Sequence, residues 1–207
     1  MCYYTSNTKS IEALKRRYKK SGSSTISEYS PQLEFSGFEF PIMPIIIENS
    51  DEILLSNWGL WPAWANDDFN KMHTLNARLE TLNDKPSFQT VVQQKCLVPA
   101  EAFFEWKWLN KAGSKKEKFR IEVVSQEIFS LAGLWTERRL GNLMYHSFTI
   151  LTIDANPLMA EINNQKKRMP LIISQENEAA WLENKLDLSK NNVELIPISL
   201  DQQLSLF

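Results

Sequence analysis

Short runs of alternating or continuous apolar residues occur along most of the chain and predict a protein built mainly from β-strands. FRIEVV (residues 119–124) alternates apolar and polar positions, which is typical of a half-buried strand. Residues 100–108 contain FFEWKW, and aromatic residues favour strands. Further strands are expected at residues 33–38, 43–48, 53–60, 129–135 and 144–153.

Helical spacing of apolar residues is confined to a few segments. Residues 9–20 place apolar side chains on one face and Lys and Arg on the other, which predicts an amphipathic helix. The other expected helices cover residues 74–82, 88–94 and 174–182, the last with Ser174 as N-cap. Many short strands with a few inserted helices predict one α+β domain over residues 1–207, with a mostly β, barrel-like core.

Composition and charge narrow the class of protein. The 207 residues are 43% hydrophobic and carry a formal net charge of −2, so any nucleic-acid surface must be local. Residues 9–20 are charged where a signal peptide would be apolar, and the apolar run at 40–47 is too short to span a membrane. Two cysteines form no disulfide framework, which favours a reducing compartment. We expect a cytoplasmic monomer without membrane association.

Several common catalytic motifs are absent from the sequence. It has no glycine-rich phosphate loop, no G-x-S-x-G elbow and no Cys/His cluster at zinc spacing. We therefore expect no metal and no organic cofactor. His73, His146 and Cys96 are interpreted as ordinary structural or surface residues.

The chain opens with M-C-Y-Y-T, and the cysteine at position 2 is the most unusual candidate for chemistry. Removal of Met1 would leave the amine and the thiol of Cys2 on adjacent carbons. The usual pKa of an α-amino group is about 7.7–8.0 and that of a cysteine thiol about 8.5, so useful fractions of both groups are deprotonated near neutral pH.

Four stretches around this cysteine occur in a specific order. They are MC at the start, WGLWPAWA (58–65) with NARLET (76–81), CLVPAEAFFEW (96–106) and KRMPLII (167–173). In this order they resemble the SOS response-associated peptidase (SRAP) family. The resemblance implies a single α+β domain with a β-barrel-like core and a groove for single-stranded DNA. It also implies removal of Met1 and a covalent thiazolidine link between Cys2 and the aldehyde of an abasic site, with single-stranded DNA as partner.

The same resemblance assigns roles to individual residues. Besides Cys2, Glu105 matches the catalytic glutamate, Asn76 the asparagine that orients Cys2, and Arg78 an arginine that holds the DNA phosphate. Among the aromatic residues around it, the Glu105 carboxyl is expected to be desolvated, with a raised pKa suited to acid–base work. The structural alternatives are a solvent-facing strand residue for Glu105 and a helix N-cap for Asn76.

Further DNA contacts are expected from basic and aromatic residues. Arg168 is a second candidate for a phosphate contact, with Lys166 and Lys167 assisting, while Glu80 is expected to be structural and to support Arg78. Trp61 and Trp64 are candidates for stacking on bases, and Trp58 is expected in the core.

The sequence departs from the family pattern at two places. The histidine that the family has before R-M-P is missing, and either Asn163 or Lys166 takes its position, with Asn163 favoured. Because asparagine cannot shuttle a proton near neutral pH, sugar ring opening or reversal of the link is expected to be slow. Tyr3 and Tyr4 replace the Gly-Arg that often follows the cysteine.

Two other functions are compatible with the sequence. A non-covalent single-stranded DNA binder would shield the lesion and would tolerate Cys2→Ala. An N-terminal-nucleophile amidase would use Cys2 as acyl acceptor and Asn76 in an oxyanion role, and it would turn over a chromogenic amide.

Overall fold

The structure is a computed structural model that describes residues 2–23 and 29–201. Met1, whose removal the sequence analysis expects, lies outside the described residues. The strands are β1 (Tyr4–Asn7), β2 (Gly22–Ser23), β3 (Gln32–Ser36), β4 (Ile42–Ile47), β5 (Glu52–Trp58), β6 (Asn76–Arg78), β7 (Lys95–Ala100), β8 (Ala102–Trp108), β9 (Lys116–Val123), β10 (Phe129–Leu140), β11 (Leu143–Asp154), β12 (Arg168–Pro170), β13 (Ile172–Ile173) and β14 (Leu195–Ser199). The helices are α1 (Ile11–Tyr18), α2 (Pro86–Gln89), α3 (Pro157–Ile162) and α4 (Glu178–Leu182).

Five strands close into a barrel. Around the ring, β5 pairs with β4, β4 with β7, β7 with β10, and β10 with β11, all antiparallel. The ring is closed by the parallel pairing of β11 with β5, in which Phe148 lies opposite Trp58. Both of these side chains are fully buried, so the point of closure is also part of the core. The expected α+β fold with a barrel-like β core and Trp58 inside it is confirmed.

A second sheet carries the N-terminus. Its strand order is β14-β9-β8-β1-β3, so β1 lies between β8 and β3 although it is the first strand of the chain. Thr5 pairs with Phe103 on one side and with Phe35 on the other. Phe35 and Phe103 are buried in one hydrophobic cluster with Trp58, Phe148 and Cys2. The second sheet therefore packs its inner face against the barrel and brings Cys2 into the shared core.

The helix expected at residues 74–82 is wrong. Asn76–Arg78 form β6, which adds in parallel to β11, and a 3-10 segment follows at Leu79–Asp84. Leu75, Leu79 and Leu82 have helical spacing, but Leu75 lies in one core cluster and Leu82 in the other. Pairing with β11 thus overrides the local pattern, as tertiary contacts often do.

Other boundaries differ less from expectation. The helix expected at 88–94 is instead α2, which ends at Gln89 before Val91 and Val92, residues whose branched side chains continue a helix poorly. β7 follows where no strand was expected, and α1 is confirmed. The helix expected at 174–182 begins as a 3-10 turn at Gln175–Asn177 and is α-helical only in α4, whose N-cap is Asn177; the expected N-cap, Ser174, precedes the turn and makes no side-chain capping hydrogen bond. β5 ends at Trp58 and is followed by Gly59, whose φ of 117° favours glycine over other residues. Within the described ranges, no helix is both long and apolar enough to cross a membrane.

Candidate active site around Cys2

Cys2 lies in the core, immediately before β1. Its side chain is fully buried, and its thiol donates a hydrogen bond to the backbone oxygen of Tyr4 at 3.8 Å. Burial raises the pKa of the Cys2 thiol, and the nearby Glu105 carboxylate raises it further. The thiol is therefore neutral in this environment and needs a base to become a nucleophile.

Glu105 is the titratable group that shares this environment. On β8, Phe103 and Glu105 point toward the core, and only 6% of Glu105 is exposed. Desolvation raises the pKa of its carboxyl to about 7, although hydrogen bonds from Asn163 and from the Trp106 backbone oppose the rise. The solvent-facing alternative is wrong, because this residue is buried. A carboxyl with a pKa of about 7 can both accept and donate a proton at neutral pH.

Asn163 lies directly beside Glu105. Its side-chain Nδ2 donates to Glu105 Oε1 at 3.1 Å and to the Arg168 backbone oxygen at 2.9 Å. Its Oδ1 accepts from the Lys166 backbone N–H at 3.3 Å, so the whole amide group is engaged. The side chain of Lys166 is exposed. Of the two registers left open by the sequence, the geometry thus favours Asn163 as the residue next to the candidate acid–base group.

Asn76 presents a polar group without a partner. Both its Nδ2 and its Oδ1 are buried, and neither forms a hydrogen bond within the described chain. It lies on β6, so the helix N-cap alternative is wrong. Its neighbour Ala77 packs into the second core cluster, whereas Ile150, which pairs with Asn76, belongs to the cluster that contains Cys2. Paired residues of parallel strands point to the same face, so the Asn76 amide faces the Cys2 side. An unsatisfied buried amide costs about 1–3 kcal/mol, which a bound group could offset.

Arg78 and Arg168 occupy different environments. Arg78 is exposed at the end of β6 and makes no hydrogen bond or ion pair with the described residues. The Arg168 side chain is 6% exposed, and its two terminal nitrogens contact Glu80 at 2.7 and 2.9 Å. Arg168 also contacts Asp154 at 2.5 Å and the Thr152 backbone oxygen at 2.8 Å. Glu80 thus forms its ion pair with Arg168, whose hydrogen bonds lower the pKa of the Glu80 carboxyl most, while Arg78, the partner expected from the sequence, contributes only through its charge. This ion pair joins the 3-10 segment after β6 to β12.

These contacts change what each arginine can do. The role of Arg168 in phosphate binding stays a prediction, but its guanidinium already has three protein partners. Its backbone oxygen accepts from Asn163, so its position is coupled to that of Glu105. Arg78 has a free guanidinium next to Asn76 and is the better placed of the two for a phosphate contact.

The two candidate tryptophans differ in the same way. One face of the Trp61 ring is covered by the guanidinium of Arg138, 4.3 Å from the ring centroid, and Lys71 lies 5.3 Å from it. Trp64 is 56% exposed, and its indole N–H donates to the Pro86 backbone oxygen at 3.2 Å. That bond fixes the ring while leaving it open to solvent, so Trp64 has more surface for a base than Trp61. The Lys166 and Lys167 side chains are exposed beside Arg168.

Some residues around the site were not expected from the sequence. Tyr3 is half-buried, its ring centroid lies 4.8 Å from that of Phe38, and burial together with Glu105 raises the pKa of its phenol. Asp154 lies opposite Arg168 in the pairing of β11 with β12. Only the strand register brings these groups together, so no local motif marks them. In the described ranges, no group of three or more His, Cys, Asp or Glu residues could hold a metal ion.

Comparisons with known proteins find similarity along most of the chain. The family model described as SOS response associated peptidase (SRAP) matches residues 1–206. The abasic site processing protein YoqW of Bacillus subtilis is 38% identical over 162 residues, covering 76% of this chain and 69% of YoqW. YobE of the same organism, also named an abasic site processing protein, is 38% identical over 76% of this chain and 71% of its own.

Solved structures share the fold. A crystal structure of a protein from Bacteroides thetaiotaomicron has a TM-score of 0.83 and 30% identity, over 98% of this chain and 94% of that one. A protein from Bordetella bronchiseptica has a TM-score of 0.74 at 20% identity, over 96% of this chain and 100% of that one.

Proposed function

This chain belongs to the SRAP family, and from that premise we propose that it processes abasic sites in single-stranded DNA by forming a covalent link through Cys2. The observation that carries the proposal is the buried pair of Cys2 and Glu105, in which the carboxyl has a pKa of about 7. Relatives named abasic site processing proteins support the substrate class. We further propose that the protein acts as a monomer in the cytoplasm, where its thiols stay reduced.

The chemistry proceeds in two stages. Hydrolysis of the Met1–Cys2 peptide bond consumes one water and releases the amine of Cys2. That amine adds to the aldehyde carbon of the ring-opened abasic sugar, and loss of one water gives an imine. The thiol sulfur then adds to the imine carbon while the nitrogen takes up a proton, which closes a thiazolidine. The net reaction with DNA releases one water, and the protein stays attached.

Glu105 supplies the proton transfers. Its carboxylate takes the proton of the Cys2 thiol, whose raised pKa otherwise keeps sulfur protonated. Its protonated form gives a proton to the leaving hydroxyl when the imine forms. Both forms are populated near neutral pH because the pKa of this carboxyl is about 7. The unpaired amide of Asn76 is available to orient the freed amine and the thiol.

Asn163 holds Glu105 but moves no proton. Its amide donors and its acceptor are already used, and an amide does not titrate near neutral pH. Asn163 therefore gives no proton-transfer help in the steps that the family histidine assists, and the completed link is expected to reverse slowly. Arg78, Lys166 and Lys167 supply positive charge for the DNA backbone, and Trp64 offers a ring for stacking.

The test is an intact mass measurement with a single-stranded oligonucleotide that contains one abasic site. The expected product is protein lacking Met1 plus the oligonucleotide mass less one water, and it survives heating. Cys2→Ser gives no such product, and Glu105→Gln forms it at a strongly reduced rate. Cys96→Ser is the matched control on the other buried thiol, and it reacts normally. A preparation that begins at Cys2 and forms no adduct would contradict the proposal.

A non-covalent binder is the second candidate, and two observations favour it. Cys2 is fully buried, and asparagine stands beside Glu105. In that case Cys2→Ala would leave the affinity for DNA and the yield of the complex unchanged. After denaturation, neither the variant nor the wild type would retain DNA. An N-terminal-nucleophile amidase would instead hydrolyse a chromogenic amide in a Cys2-dependent manner.

A further inference from the structure

The outer face of the second sheet carries aromatic and cationic side chains in register. Strand β8 alternates, so that Phe103 and Glu105 face the core while Trp106 and Trp108 face outward. On β9, Lys118 lies directly opposite Trp106, and Lys116 directly opposite Trp108. The lysine amines lie 5.1 Å from the centroids of the two indole rings. Both distances are within the range of cation–π interactions.

The aromatic surface continues onto the N-terminal strand. The Tyr4 ring packs edge-on against Trp106 with centroids 4.9 Å apart, and it lies 6.1 Å from Phe38. Phe38 is 40% exposed, Lys116 is exposed, and the others are partly exposed. We call this surface the outer aromatic face, and it consists of Tyr4, Phe38, Trp106, Trp108, Lys116 and Lys118.

The aromatic rings of this face are held by packing, whereas its lysine side chains can change partner. The turn at Gly113 lies so close to the Trp108 ring that an added Cβ would come within 2.4 Å of it, so this indole is held in place from one side. Lys118 also pairs with Glu34 of β3, the strand at the far edge of the same sheet. Lysine side chains are long enough to exchange a ring or a carboxylate for a phosphate. The hairpin beyond the face adds Lys111 and Lys115.

The outer aromatic face is continuous with the candidate active site. Tyr4 is two residues from Cys2, and Trp106 follows Glu105 on the opposite side of the same strand. A DNA strand that passes Tyr3, immediately before the start of β1, thus runs from the catalytic side of the sheet to its outer face. Exposed rings on a β-sheet beside flexible cations are a platform on which unpaired bases stack while the phosphates are neutralised.

We propose that the outer aromatic face binds the single-stranded DNA that flanks the abasic site, on one side of the lesion only. The proposal rests on the function proposed for Cys2, which sets the position of the lesion. Bases stack on Phe38, Tyr4, Trp106 and Trp108, and Lys116 and Lys118 contact phosphates. Binding is independent of base sequence, because ring stacking and phosphate contacts do not distinguish the bases.

The polarity of the DNA provides the test. Two sets of fluorescent oligonucleotides carry a stable abasic analogue that cannot react, extended by ten unpaired nucleotides either only 5′ or only 3′ of it. Dissociation constants are measured by anisotropy at several salt concentrations for the wild type, Trp108→Ala and Lys116→Gln/Lys118→Gln. The control is Lys185→Gln, which removes a lysine that, like Lys118, pairs with a glutamate but lies three residues after the end of α4.

The expected result is asymmetric. Both variants of the face lose about 5- to 100-fold in affinity for one of the two extensions and little for the other. The slope of log affinity against log salt falls by about 1.4 for the double lysine variant, since each phosphate contact on a single strand contributes about 0.7. Lys185→Gln leaves both quantities unchanged. Thermal melting confirms that each variant is folded.

Two results overturn the proposal. If affinity falls equally for the two extensions, the variants act at the lesion site and not on the flanking DNA. If affinity falls for neither extension, the face does not bind DNA and instead contacts a protein partner or only stabilises the fold. The function proposed for Cys2 fails separately, through a missing adduct with a short reactive abasic oligonucleotide. Because the anisotropy assay uses an unreactive analogue, binding to the face can be measured whether or not the adduct forms.

Discussion

Replacing Glu105 tests the electrostatics of the site through protein stability alone. Its pKa rises from the ordinary value of 4.5 to about 7 in the folded protein. The folded state therefore binds this proton more tightly than the unfolded state does. The resulting stabilisation is complete below pH 4.5 and is lost as the pH rises through 7. At about 1.4 kcal/mol per pKa unit, the change amounts to about 3 kcal/mol.

Glu105→Gln removes this dependence, because glutamine keeps the size of the side chain and stays neutral. The difference in free energy of unfolding between variant and wild type should grow by about 3 kcal/mol in favour of the variant between pH 4.5 and pH 8. Urea denaturation at closely spaced pH values measures it, and groups common to both proteins cancel in the difference. Intact mass verifies that both proteins have the same N-terminus.

The matched control is Glu161→Gln, which removes an exposed carboxylate from α3 close to the site. Solvent screening should keep its difference from wild type within about 0.5 kcal/mol over the same pH range. Parallel curves for Glu105→Gln and wild type would refute the reasoning, since they would mean that Glu105 is solvated or remains charged throughout.

Three other substitutions address further residues of the candidate site. Asn163→His introduces a group that titrates near neutral pH and should speed reversal of the DNA link at least about tenfold, followed as release into excess competing oligonucleotide; an unchanged rate would show that reversal is not limited by proton transfer. Arg78→Ala should weaken binding of single-stranded DNA and lower the salt slope by about 0.7, and an unchanged slope would remove Arg78 from the phosphate path. Arg168→Ala should lower the free energy of unfolding by about 2 kcal/mol while leaving that slope unchanged, and a reduced slope would instead support a phosphate contact.

The strands that the sequence predicts have local patterns, whereas others, such as β1, β6 and β7, were not expected. Alternation at 119–124 and apolar runs at 43–48 and 53–60 correspond to β9, β4 and β5 within a few residues. A strand buried on one face has alternating apolar and polar residues, and a strand buried on both faces has a continuous apolar run. The pairing of β11 with β5 that closes the barrel leaves no such trace, since it joins segments about 90 residues apart.

The failure at residues 74–82 has the same origin. Leucines at helical spacing are compatible with a helix and equally with a strand followed by a 3-10 segment. Pairing with β11 selects the strand. Candidate site residues were proposed from motifs, but their relations come from the fold. Arg168 is an example, because its pairing with Glu80 depends on β6 and β12 flanking β11.

The sheet order has a consequence for the newly made chain. β1 pairs with β3 within the first 40 residues, but its other neighbour, β8, begins at Ala102. At about 5–20 residues per second, synthesis leaves roughly 5–20 s in which this strand lacks one side of its sheet. During that interval Cys2 lacks the cover that Phe103 and the rest of the core provide, and its thiol has the reactivity of an ordinary exposed cysteine. If Cys2 is the nucleophile proposed above, oxidants and other electrophiles compete for its thiol before the site exists, and the speed with which β8 docks then sets how much of the protein keeps an intact thiol.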